Sequence, residues 1–144
     1  MRVHTIKKVP APIKMNGLRV QRFKVGDYPI RVEVWMAKDN KRAWPKFKEL
    51  FTEPEDNYDS DGDDGEMSAE AFTCTKKTGH VGIMFRWNPS VEVMVHECFH
   101  AVSFVLVACG IDHVDETEEA YAYSMGMLAQ NVQHWVASMC KGGK

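Results

Sequence analysis

His96-Glu97-Cys98-Phe99-His100, set between Val91-Glu92-Val93-Met94-Val95 and Ala101-Val102-Ser103-Phe104-Val105, decides how this chain is read. No Pro or Gly interrupts 90–109. Ser90, after Asn88-Pro89, suits an N-cap, and Gly110 suits the residue just past a helix end. The stretch therefore predicts a helix. Residues four apart on a helix share a face, so the two imidazoles stack one turn apart and reach a single metal ion. Glu97 lies about 100° further round and points toward a water on that metal, not at the metal itself. Zinc held by three protein ligands keeps a fourth position for water and lowers its pKa to roughly 7. The carboxylate takes that proton and hands it to a leaving amine. The pattern implies metal-assisted hydrolysis, most often of a peptide bond. The plainer alternative is a pair of packed, hydrogen-bonded histidines. Val91, Met94, Val95, Cys98, Ala101, Val102, Val105 and Cys109 form a broad apolar stripe, and His96, His100, Ser103 and Val107 the neighbouring face. A helix apolar nearly all round is expected to be central in the fold.

A zinc site needs a third ligand. Past Gly110-Ile111-Asp112-His113-Val114, the run Asp115-Glu116-Thr117-Glu118-Glu119-Ala120-Tyr121-Ala122-Tyr123 opens a second helix, expected to reach about Ala137. Asp115 suits its N-cap, and acids suit its first turn. Glu119 is the preferred ligand, sharing a face with Tyr123, Gly126 and Gln130. Ala122 and Gly126 are small enough to let two helices approach closely. Glu118, Glu116 and His113 stay open as alternatives, as does an ordinary solvated acidic cap. Tyr123 or Tyr121 could donate to the oxyanion of a tetrahedral intermediate, or simply pack.

His96-Glu97-x-x-His100, a glycine-ended helix and Glu119-x-x-Ala122-Tyr123 together resemble the zincin metallopeptidases of the glutamate type, over roughly residues 80–137. Glu119-x-x-Ala122 is similar to small zinc peptidases of mobile elements, some of which cleave repressors. The stretch from His96 to Tyr123 also looks like short proteins of tailed bacteriophages. The resemblance implies Zn²⁺ held by His96, His100 and Glu119, with Glu97 as general base. It further implies that an edge strand beside the metal helix binds the substrate backbone by strand addition, a role assigned to 79–87. Two departures stand out. Ser103 and Leu106 occupy the positions where the metzincin extension has Gly and His, and Tyr123 follows Ala122 where the repressor-cleaving group often has Asn.

Composition bounds the rest. The 144 residues suit one domain, 1–144, with one proper core. A net charge of −2 gives no global basic field for nucleic acid. No apolar leader follows Met1-Arg2-Val3-His4, and the apolar run 101–111 is too short to span a bilayer. Cys74, Cys98, Cys109 and Cys140 form no C-x-x-C pair, so the chain reads as cytoplasmic with reduced thiols. Cys98 beside the histidines is an alternative nucleophile.

The N-terminal half carries no recognised motif. Residues 1–16, with Arg2, Lys7, Lys8, Lys14, Pro10 and Pro12, read as a basic arm. Alternation over 18–25 and 28–36 predicts a hairpin, and 71–77 with 79–87 a second. Trp44, Phe47, Leu50 and Phe51 have helical spacing over 41–51, with Pro45 expected in the first turn. His80 is expected in an exposed turn or lining a cleft. The segment 53–70 is an acidic, turn-rich loop, and its 57–62 part resembles half of a calcium loop, with Ser68 where the twelfth-position Glu belongs.

The expected architecture is α+β and zincin-like: a small, twisted, mainly antiparallel sheet packed on the central H-E-x-x-H helix and a following helix. The expected function is zinc-dependent hydrolysis of a protein or peptide substrate, with no membrane partner. A zincin-like zinc protein that captures a host or phage protein without cleaving it is the second reading. A nucleic-acid role for the basic arm is the third.

Overall fold

The computed structural model describes residues 13–52, 67, 69–74 and 80–141. Along the chain run β1 (Leu18–Lys24), β2 (Arg31–Ala37), α1 (Asn40–Phe51), β3 (Ala71–Cys74), β4 (Val81–Arg86), α2 (Val91–Ala108), a 3₁₀ turn (Asp115–Thr117) and α3 (Glu118–Lys141). The sheet order is β1-β2-β4-β3. Both expected hairpin pairings are present: β1 is antiparallel to β2, with Val20 opposite Trp35, and β3 is antiparallel to β4, with Thr73 opposite Ile83. Between them β2 and β4 run parallel, with Val34 opposite Ile83. The architecture is α+β, with a mixed four-stranded sheet and three helices. A parallel pair is normally buried on both faces and reads as a near-continuous apolar run. Val34-Trp35-Met36-Ala37 and Ile83-Met84-Phe85 are such runs, and all are buried.

Strand alternation sorts these residues onto two cores. Val32, Val34, Met36, Val81, Ile83 and Phe85 face α2 and α3. Trp35, Ala37 and Met84 face α1, where Trp44, Phe47 and Phe51 meet them. Aromatic edges organise this second core: Trp35 meets Phe47 at 5.6 Å and Trp44 meets Phe72 at 5.4 Å between ring centroids. Asp39 caps α1 by accepting from the Arg42 amide. Pro45 is not in the first turn, as expected above, but in the sixth helical position, on an exposed side of the helix.

Helix α2 begins and ends as its sequence predicts. The Ser90 hydroxyl accepts from the Val93 amide. At the far end Gly110 takes φ 81°, its amide donates to the Val107 carbonyl, and the Ile111 amide donates to the Leu106 carbonyl. That pair of bonds is a Schellman motif. The expectation that α2, apolar nearly all round, is central holds for one side of the helix only. Met94, Cys98, Ala101, Val102, Val105 and Leu106 are buried, whereas Val91, Val95, Phe99, Phe104 and Val107 are exposed. By length and composition α2 is apolar enough to cross a membrane. Here its inner face packs on the sheet and α3.

Strand β4 is an inner strand, paired on both sides, so 79–87 offers no edge for strand addition. The edge beside α2 is β3. The calcium-like loop 57–62, residues 1–12 of the basic arm and the turn at 75–79 lie outside the described residues.

Phe51 seals α1 onto β4 by lying directly over Gly82; a Cβ there would sit 2.6 Å from the ring. Gly82→Ala is expected to destabilise the fold by about 1–3 kcal/mol in urea unfolding. An unchanged midpoint would show that the ring is not tightly seated.

Candidate metal centre

Sheet packing sets the rotation of α2, and that rotation sets the site. With Cys98, Val102 and Val105 directed inward, His96 and His100 fall on the opposite side of the helix, where both are exposed. Their Nε2 atoms converge to 3.1 Å. The ring centroids are 4.8 Å apart and the planes cross at 75°. Two nitrogens bound tetrahedrally to zinc at about 2.0–2.1 Å stand roughly 3.3 Å apart, so the pair is close to the spacing such an ion needs.

Glu97 lies a third of a turn round, between helix and sheet, and is only 7% exposed. One of its oxygens, Oε1, accepts a 2.6 Å hydrogen bond from the Thr73 hydroxyl on β3. The other, Oε2, is 3.8 Å from His96 Nε2. One carboxylate oxygen is therefore tethered to the sheet while the other faces the imidazole pair. A groove of about 210 Å³ opens beside it, lined by Glu70, Ala71, Glu92, Val93, His96 and Glu97.

Thr73 was not singled out from the sequence, although its strand carries the signal. Phe72 packs against Trp44 and Phe47 on the α1 side, so alternation sends Thr73 to the α2 side.

The other candidates fall elsewhere. Among the described residues no group of three His, Cys, Asp or Glu is arranged to hold a metal, so Glu119, Glu118, Glu116 and His113 do not complete a triad with His96 and His100. The packing of α3 turns other residues inward. Tyr121, Ser124, Leu128, Val132 and Val136 are buried. Glu119, Tyr123, Gly126 and Gln130 form the far, exposed side, and Tyr123 is 70% exposed. Gly126 is not a close-approach point: a Cβ there meets nothing within 4 Å. Tyr121 is buried, and its hydroxyl donates to the Ile111 carbonyl at 2.6 Å. His113 stacks on the Tyr121 ring at 4.5 Å.

Cys98 is not an available nucleophile. Burial, with the Glu97 charge second, pushes its thiol up to about 12. His80 neither lines the groove nor sits in an exposed turn. It is buried, and its Nδ1 accepts from the Arg31 amide at 3.3 Å.

The layer that carries the site has an unusual charge pattern. Between Trp87 and Cys140 there is no Lys or Arg, while Glu92, Glu97, Asp112, Asp115, Glu116, Glu118 and Glu119 are all acidic. A stretch with seven acids and no Lys or Arg favours cations at its surface.

Comparison with known proteins finds no matching family model, no matching curated protein and no matching solved structure. The reading of the site therefore rests on its own geometry.

Two outcomes follow. Thr73→Val strips the buried Glu97 carboxylate of its donor and should cost about 1–3 kcal/mol, with Thr73→Ser restoring most of it in urea unfolding. Equal stability of the Val and Ser variants would show that the bond contributes nothing. Burial holds the His80 imidazole below its ordinary value. A histidine depressed in the folded state contributes stability that is complete above about pH 6.5 and is lost as pH falls through that value and the lower folded one. Unfolding midpoints between pH 7.5 and 5.5 should thus fall less steeply for His80→Asn than for the parent chain. Parallel curves would contradict this.

Proposed function

We propose that this protein is a zinc-dependent hydrolase acting on peptide bonds, built on a zincin-like H-E-x-x-H helix. The observation that carries the reading is the 3.1 Å convergence of His96 and His100 beside a tethered Glu97 carboxylate. The donor set fits zinc, since both histidines are exposed and their Nε2 atoms lie 3.1 Å apart. Zinc, when bound, supplies Lewis acidity toward water and the scissile carbonyl. Glu97 does the proton work. Its free Oε2 takes a proton from the attacking water and delivers it to the departing amine nitrogen. Thr73 holds Oε1, so the carboxylate presents one oxygen in a set direction. Strand β3 supplies the sheet edge nearest the groove, along which an extended substrate backbone could pair. The third ligand is proposed to be Glu119, which stands exposed in the first turn of α3. The four free cysteines suit a reducing compartment such as the cytoplasm.

A second reading is a zinc-binding protein that captures a protein partner without cleaving it. It is favoured by one observation: among the described residues no group of three His, Cys, Asp or Glu is arranged to hold a metal.

Metal analysis of the purified chain is expected to find about one zinc per molecule. His96→Ala and His100→Ala should lose it. Glu97→Gln should retain it while turnover of unfolded casein falls by about 100-fold or more. Chelation should abolish that turnover and zinc restore it. Full activity in Glu97→Gln would end the mechanism, and stoichiometric zinc with no turnover in any form would favour the capture reading.

A further inference from the structure

The outer side of α2 carries more than the imidazole pair. Val91, Val95 and Phe99 form an exposed row at four-residue spacing. His96, His100 and Phe104 form the row beside it, and Val107 continues the surface one turn on. Phe99 is 46% and Val107 55% exposed, so apolar area surrounds the histidines on the solvent side. Contiguous apolar surface rimmed by charge marks a binding face more often than chance exposure.

Among the described residues the rim is mostly acidic, and Arg86, beside Glu70, is engaged by the Ala69 and Met67 carbonyls. Toward the helix start stand Glu92 and Glu70, lining the groove with His96. Toward the helix end, the Phe99 ring lies 6.5 Å from that of His113, in the turn that carries Asp112 and Asp115. The last turn of α2 has no basic residue, so the negative end of its dipole adds to those acids. Between Trp87 and Cys140 the sequence has no Lys or Arg to offset them, and Lys141 stands at the far end of α3.

We infer that the outer face of α2 binds a cationic amphipathic polypeptide segment, with apolar side chains over Val95, Phe99 and Val107 and Lys or Arg at both acidic ends. The inference rests on the hydrolase reading only in calling that segment a substrate; as a docking face it stands on shape and charge. An anionic membrane surface would also meet apolar side chains, but the acidic rim opposes it. A second copy of the chain would place acid against acid.

The test uses the full chain and a fluorescently labelled 18-residue peptide of Leu and Lys at helical spacing, with a Leu/Glu counterpart. Anisotropy is read at low and at physiological salt, with zinc and with chelator. The Leu/Lys peptide is expected to bind at least about tenfold more tightly than the Leu/Glu one, and less tightly as salt rises. Phe99→Ser with Val107→Ser should weaken it about tenfold or more, and Asp112→Asn with Asp115→Asn by a smaller factor. These are surface changes, and an unchanged unfolding midpoint identifies variants fit for comparison. Equal binding of the two peptides would overturn the inference. So would no response to the Phe99 and Val107 changes, preferential binding to phosphatidylglycerol vesicles, or sedimentation as a dimer that dissociates on Phe99→Ser. Binding needs no turnover, so a chain that takes up no zinc yet prefers the Leu/Lys peptide would refute the hydrolase reading and leave the docking face intact.

Discussion

The seating of α2 against the sheet governs everything else in this molecule. Met94, Cys98, Ala101, Val102, Val105 and Leu106 fill one side of the core, against Val34, Met36, Ile83 and Phe85. Burying an aliphatic side chain is worth roughly 1.5–3 kcal/mol, so the helix has one strongly preferred rotation. That rotation leaves His96 and His100 facing outward and swings Glu97 sideways to the sheet. The Thr73 hydroxyl meets Glu97 there and lets a carboxylate sit where water is nearly excluded. Core packing and site geometry are thus one constraint viewed from two sides of a helix.

Much of this was legible from residue order. The caps of α2 are local chemistry, and Ser90 and Gly110 mark them because their roles depend on near neighbours alone. Both hairpin pairings follow from period-two alternation. The parallel contact between β2 and β4 was less accessible, because pairing across an intervening helix leaves no local mark. The solvent-facing side of α2 misled for a related reason: Val91 and Val95 fall on the apolar stripe in a linear reading, and only tertiary packing shows that both are exposed. Similarly, Glu119, Tyr123 and Gly126 do share a face of α3, as their spacing implies, but spacing does not say which face turns inward. Tyr121, Leu128 and Val132 took that place. Thr73 sits 24 residues from Glu97 in sequence, and short-range pattern reading does not join the two.

Two features of the surface act in the same direction. The imidazole pair offers nitrogen donors to a divalent cation, and the layer around it carries seven acids and no Lys or Arg between Trp87 and Cys140. Both lower the free energy of positive charge at the outer side of α2, whether a metal ion or a basic side chain. The apolar residues interleaved with the histidines add area that a bound polypeptide would remove from water.

X-ray absorption at the zinc edge of the loaded protein tests the central claim most directly. The account predicts two imidazole nitrogens at about 2.0–2.1 Å with the remaining ligands oxygen, and the loss of one imidazole in His100→Ala. A shell containing sulfur at about 2.3 Å, or a spectrum that His100→Ala leaves unchanged, would contradict it.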